Sequence, residues 1–239
     1  MPTLINKIIL PIVLTCLSQF VNASLITNGS FEQTTFANGS SISGSLFNTD
    51  LQKYDDKNNV WDIFYSLPGW QTTYGNGIEL QKGIVSQSQN GSNHVELDSH
   101  RFGASNSVMT QTLQSLTIGE NYLLEFYYKP RTNISNDNGI NVFWYDADID
   151  YNFDMSATLV ADSTISLTPD WSLQSVLLTA KAESMNLSFG SYGIQNTLGG
   201  LIDNVSLKQT TQTTAVPEPS MLVLFLTAMV FLVARKKLK

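Results

Sequence analysis

Cysteine is nearly absent from this 239-residue chain: the single one, Cys16, sits in an apolar run near the N-terminus. One cysteine cannot form an intrachain disulfide, so the body must stand on its core, and it is long enough to do so. Histidine is almost as scarce, with only His94 and His100. The motifs G-x-S-x-G, H-E-x-x-H and the phosphate-binding loop do not occur, which removes the common nucleophilic, zinc-protease and nucleotide-hydrolysing centres. Basic residues are few where it matters. Of 13 Lys and Arg, Lys7, Arg235, Lys236, Lys237 and Lys239 lie at the two ends. That leaves eight against all 20 Asp and Glu between Ser24 and Ser220, a body charge of −12. Nucleic acid and anionic lipid are thereby excluded as partners, since both need a positive surface. Sustained helical periodicity is also lacking between the ends.

What is present is alternation. Gly119–Arg131 reads G-E-N-Y-L-L-E-F-Y-Y-K-P-R. Tyr122, Leu124, Phe126 and Tyr128 share one parity, and Asn121, Leu123, Glu125, Tyr127 and Lys129 the other. That spacing predicts a strand with an aromatic inner face and a wet outer one, ended by Pro130, which has no N–H to give. A face this aromatic needs a second layer. Similar alternation recurs at Gly77–Leu80, His94–Ser99, Ser107–Leu116, Ile140–Tyr145, Trp171–Ala180, Met185–Phe189 and Gly200–Lys208, with a strand or two between 155 and 166. At His94–Ser99, Val95 and Leu97 face in while Glu96 and Asp98 face out. Leu67-Pro68-Gly69-Trp70 is a tight turn, Ser24–Glu32 a short strand running into an Asn-Gly turn, and 34–59 a long surface excursion. Nine or ten strands at this spacing predict an all-β, two-sheet antiparallel sandwich.

The ends are processing segments. Lys7, the apolar run Ile8–Leu17 and Val21-Asn22-Ala23 form a secretory signal over 1–23; a membrane-anchoring helix is the other reading, and Cys16 a weak lipoprotein cue. At the C-terminus a polar linker, 210–215, precedes Val216-Pro217-Glu218-Pro219-Ser220, an apolar helix over 221–234 and a basic tail. The helix is short for a membrane span and inserts with the tail in the cytoplasm. Pro217, Glu218 and Pro219 followed by one hydrophobic helix and an Arg/Lys end resemble the PEP-CTERM sorting signal of Gram-negative bacteria, over 216–239. That resemblance implies transient insertion, removal by an exosortase-like membrane protease, and a final place at the cell surface, outer envelope or extracellular matrix of exopolysaccharide producers.

The body, 24–209, carries a second resemblance. Asn28-Gly29-Ser30-Phe31-Glu32 opens it; Leu67-Pro68-Gly69-Trp70, Val95-Glu96-Leu97-Asp98, Gln111-Thr112 and Gly119-x-x-Tyr122-x-Leu124-x-Phe126 follow in order; Ile202-Asp203-Asn204-Val205 closes it. This order resembles the galactose-binding-like jelly rolls, the DUF642 cell-wall proteins and bacterial carbohydrate-binding modules among them. It implies a jelly roll, binding of extracellular polysaccharide, and a structural Ca²⁺ held by Glu32 and Asp203. The residues point the same way for the metal. Asp203 shares parity with Leu201, Val205 and Leu207, and a carboxylate on an apolar face needs a metal, a partner or hydrogen bonds. A bulge that turns Asp203 outward, or backbone N–H donors to it, would serve equally. Asp146, Asp148, Asp150 and Asp154 form a second acidic run, better read as a solvated loop.

Trp61, Trp70, Tyr74 and Trp144 lie near polar loops and are the candidate stacking platforms for sugar rings; core positions for Trp70 and Trp144 are the competing reading. Three functions stay open. The first is a non-catalytic polysaccharide binder. The second is a structural matrix component without a discrete ligand. The third is a glycan hydrolase drawing on Glu79, Glu96, Asp98 or Glu125, although no spacing selects a pair. Six N-x-S sequons in the body are turn chemistry if the bacterial reading of the tail holds.

Overall fold

A computed structural model describes residues 23–35, 51–100, 105–134, 136–149, 158–161 and 170–210. The secretory signal, most of the 34–59 excursion, Asp150, Asp154 and the whole sorting signal with Pro217, Glu218 and Pro219 lie outside the described residues. No helix among the described residues is long and apolar enough to cross a membrane.

Among the described residues the elements are α1 (Leu51–Asp55) and twelve strands: β1 (Val60–Phe64), β2 (Ser66–Leu67), β3 (Trp70–Tyr74), β4 (Ile78–Lys82), β5 (Asn93–Glu96), β6 (Val108–Leu113), β7 (Asn121–Lys129), β8 (Gly139–Asp146), β9 (Thr158–Ala161), β10 (Ser172–Thr179), β11 (Met185–Tyr192) and β12 (Leu201–Gln209). They form two six-stranded sheets, ordered β1-β4-β5-β12-β7-β10 and β2-β3-β6-β11-β8-β9. Every pairing is antiparallel. This is the expected all-β, jelly-roll-like sandwich. β7 ends at Lys129, immediately before Pro130, as its missing N–H requires.

The parity read from β7 decides the core. Tyr122, Leu124, Phe126 and Tyr128 are buried and their alternates are half-buried. Phe126 meets Phe189 edge-on across the sheets at 5.0 Å, Phe189 meets Trp70 at 5.9 Å, and Trp70 meets Phe31 at 6.0 Å. These four rings tie both sheets to the N-terminal segment.

Ser24–Glu32 is not a strand. It is a turn clamped by Asn28, whose amide donates to Gln33 O and Pro68 O (both 3.0 Å) and accepts from the Gln33 N–H. Asn28 and Phe31 both take positive φ there. Gly29 lies directly on β12: its carbonyl accepts from Val205 N, and an added Cβ would stand 1.9 Å from Val205 O. The opening and closing segments of the body are therefore neighbours, as the sequence implies.

Candidate functional site

Register places two rows of side chains on the outer face of the first sheet. Trp61 pairs with Gln81 and Gln81 with His94; Asp203 pairs with Tyr127 and Tyr127 with Leu173. The next row runs Ile63, Glu79, Glu96, Leu201 and Lys129. An outer face should be wet, yet Gln81, His94 and Glu96 are fully buried and Glu79 is 4% exposed. The cover comes from the loop before β5 and from segments remote in sequence. Trp171 sets its ring edge-on to His94 at 5.7 Å and donates to Gln87 O. Ser88 reaches His94 Nδ1 at 3.0 Å, and Gly199 N donates to Glu96 Oε1 at 2.6 Å. The expectation that Glu96 and Asp98 face outward holds for direction and fails for solvent: both are 0% exposed.

The buried groups satisfy one another. Gln81 Nε2 donates to Glu79 Oε1 and to Glu96 Oε2 (2.7 and 2.6 Å), which fixes its amide, so Gln81 Oε1 accepts from His94 Nε2–H at 3.0 Å. His94 is then the Nε2–H tautomer, with Nδ1 accepting from the Ser88 hydroxyl. Arg131 Nη1 donates to Glu96 Oε2 at 2.5 Å and to Thr197 O. Burial pushes Glu79 up to about 7, opposed by the Gln81 hydrogen bond and by Arg131. Burial and the Glu79 charge push Glu96 up as well. Glu96 has donors on both oxygens, whereas Glu79 Oε2 has none, so the proton of the pair belongs on Glu79. Burial, then Lys129 and Arg131, lowers His94 to about 4. Sequence reasoning named Glu79 and Glu96 without pairing them and passed over Gln81, His94, Arg131 and Trp171. The available signal was the run of polar residues at one parity in both β4 and β5.

The second sheet carries a different feature. A hollow of about 410 Å³ is lined by Ser66, Leu67, Gly69, Trp70, Gln71, Thr110 and Thr112. Hydroxyls continue beneath it as a chain: Thr73 to Thr110 at 2.8 Å, Thr110 to Ser188 at 2.6 Å, Ser188 to Tyr145 at 3.2 Å.

The four candidate platforms do not assemble. Trp61 is 37% exposed on β1, 5.4 Å from the His100 ring, in the first sheet. Tyr74 is 45% exposed on β3, in the second. Trp70 is 2% exposed and cannot offer an open ring: the Leu67-Pro68-Gly69 turn carries it inward, where Nε1 donates to Asn28 O. Trp144 is half-buried against the core, and its Nε1 donates to Thr179 O, which pins β8 to β10. Trp70 is thus a core residue, while Trp144 leaves part of its ring at the surface.

Glu32 and Asp203 do converge, on the 89–93 loop. Gln89 and Asn90 N–H donate to Asp203 Oδ2 (2.7 and 2.8 Å), and Ser92 and Asn93 N–H to Glu32 Oε1 (2.8 and 2.7 Å). Parity misplaces Asp203. A bulge between Asp203 and Ser206, with Asn204 at φ 50°, turns Asp203 to the outer face while Val205 and Leu207 stay inside. Burial still pushes Asp203 up to about 7 against three N–H donors, and the Glu32 charge adds to the rise. Both arrangements that the sequence offered in place of a metal are thus present: the bulge turns Asp203 outward, and backbone N–H groups donate to its carboxylate. A divalent cation there would need loop carbonyls to complete its shell, because no three His, Cys, Asp or Glu side chains group as metal ligands among the described residues.

No family model matches the chain. A stretch of 185 residues is 27% identical to the multifunctional-autoprocessing repeats-in-toxin of Vibrio cholerae serotype O1, covering 70% of this chain and 4% of the toxin. The chain thus spans a small fraction of that relative's length. An apo form of a cyclase from Fischerella sp. overlays with a TM-score of 0.48 at 17% identity, over 80% of this chain and 98% of the cyclase. TmCBM61 in complex with β-1,4-galactotriose overlays with a TM-score of 0.38 at 13% identity, over 78% and 99%. At these values site residues do not carry across.

Proposed function

We propose that this is an exported, surface- or matrix-associated protein that binds extracellular polysaccharide without turning it over, after an exosortase-like protease removes its membrane-inserted tail. The carrying observation is the hollow on the second sheet. Its lining presents the polar side chains of Ser66, Gln71 and Thr112 beside Gly69, above the buried Leu67 and Trp70. Sugar hydroxyls offer the complement to such groups. Against chemistry stands the burial of Glu79 and Glu96, whose carboxyls are closed off by Gln81, Arg131 and Gly199.

An open hollow buries little area, so a Kd of roughly 10 µM to 1 mM is expected, about −7 to −4 kcal/mol. On an array of microbial and plant glycans, Gln71→Ala and Thr112→Ala are expected to weaken retention at least about tenfold, with the fold intact by circular dichroism. Trp61→Ala would lower it only if the first sheet also takes part. Reducing ends released with time would replace this reading by a hydrolase.

Calcium at Glu32 and Asp203 belongs to the same proposal. At ten times its Kd the ion is expected to add about 1.4 kcal/mol. Glu32→Ala and Asp203→Ala should each lower the EDTA-sensitive melting difference by the part that this site supplies. An unchanged increment in both variants would assign the stabilisation elsewhere.

A further inference from the structure

Buried polar atoms without a hydrogen-bond partner in the protein are rare and ask for an explanation. Here several lie where the segment after β5, in the first sheet, meets the start of β6 and the end of β11 in the second. They are Asp98 Oδ1, Asn106 Oδ1 and Ser191 Oγ, with Glu79 Oε2 on the adjoining strand. Asp98 and Asn106 face each other in an antiparallel bridge. The Asn106 amide is oriented, because its Nδ2 donates to Gly193 O at 3.2 Å, two residues beyond Ser191. Gly199 brings the other two together: a Cβ there would lie 2.6 Å from Asp98 Cβ and 3.3 Å from Ser191 Oγ. Asp98 is 0% exposed, and its other oxygen, Oδ2, accepts from Asn196 N and Leu198 N (3.1 and 3.0 Å). Glu79 shares its face, since Glu79 is opposite Glu96 and Asp98 lies two residues on from Glu96.

We infer that Asp98 Oδ1, Asn106 Oδ1 and Ser191 Oγ form a binding site for Ca²⁺, separate from Glu32 and Asp203. The donor set is all oxygen and mixes a carboxylate with a carboxamide and a hydroxyl, which suits a hard cation and not a transition metal. A formal charge buried with one bare oxygen needs a positive partner, and Arg131 is already committed to Glu96 and Thr197. With a single carboxylate in the set, the affinity falls in the weak extracellular class, Kd about 0.1–1 mM.

The test is calorimetric titration of the purified protein with Ca²⁺ in a Glu32→Gln background, which removes the other candidate. One ion is expected to bind still, and Asp98→Asn is expected to abolish it. Asn106→Asp adds a carboxylate and should tighten binding about tenfold, a gain that a purely structural asparagine would not give. No binding in the Glu32→Gln background, equal binding of Mg²⁺ and Ca²⁺, or full binding in Asp98→Asn would overturn the assignment. If Asp98→Asn fails to fold, Asn106→Asp decides it alone: unchanged affinity there overturns the site.

Discussion

Arg131→Ala is expected to cost about 3–5 kcal/mol at pH 8, because it strands a buried carboxylate. Glu96 is 0% exposed, and the Arg131 side chain, itself 22% exposed, supplies the only ion pair to it among the described residues. The same guanidinium holds Thr197 O, so its loss also frees the 194–200 segment that Gly199 anchors on Glu96. Two carboxyls, Glu79 and Glu96, would then share one side-chain donor, Gln81, beside the Gly199 N–H on Glu96. A proton can relieve that. The deficit should therefore shrink toward pH 5, where the pair takes up a second proton. Glu96→Gln in the Arg131→Ala background should recover part of the loss at pH 8, since no bare charge remains. Urea denaturation of the four proteins at both pH values reads this as a double-mutant cycle. An Arg131→Ala cost below about 1 kcal/mol at pH 8 would mean that solvent reaches Glu96 and that the pair behaves as a surface ion pair.

That cluster also marks the limit of what alternation reveals. Period two told correctly which way Val95, Leu97, Glu96 and Asp98 point, because the pleat determines sides. It could not tell that the outer side is roofed. The roof is built by Ser88, Trp171 and Gly199, the last of them 103 residues along the chain from its partner Glu96. Asp203 shows a second limit. A single extra residue reverses parity, and the positive φ that permits the bulge falls on Asn204, one of the few non-glycine types that tolerate it. The motif order did foretell that the N-G-S-F-E and I-D-N-V segments meet, and Gly29 against Val205 is that meeting. Trp70 and Trp144 were ambiguous for a physical reason: an indole beside a turn can stack on a ligand or turn its Nε1 to a backbone carbonyl; Trp70 buries its ring and donates to Asn28 O, and the half-buried Trp144 donates to Thr179 O.

His94 should make stability fall with acid in a window well above that of ordinary carboxylates. Its ring is fully buried as the Nε2–H tautomer between Gln81 Oε1 and Ser88 Oγ, with the edge-on contact to Trp171. Burial, with Lys129 and Arg131 nearby, lowers its pKa from 6.5 to about 4. Above pH 6.5 the ring is neutral folded and unfolded, and stability owes nothing to its titration. Between 6.5 and about 4 the unfolded chain binds a proton that the folded one refuses, so stability drops as pH falls through that range. At about 1.4 kcal/mol per pH unit the loss approaches 3 kcal/mol. Glu79 and Asp203 titrate the opposite way. Both are pushed up to about 7, so their contributions fade as pH rises toward 7 and would mask His94 in the wild-type curve alone. The difference between wild type and His94→Gln isolates it, since glutamine keeps a donor toward Gln81 and does not titrate. That difference should be flat above pH 7 and shift by about 3 kcal/mol in favour of the variant by pH 4. Parallel curves across that range would show that the imidazole takes its proton in the folded protein, which requires water at Nδ1 and a roof over the sheet that opens.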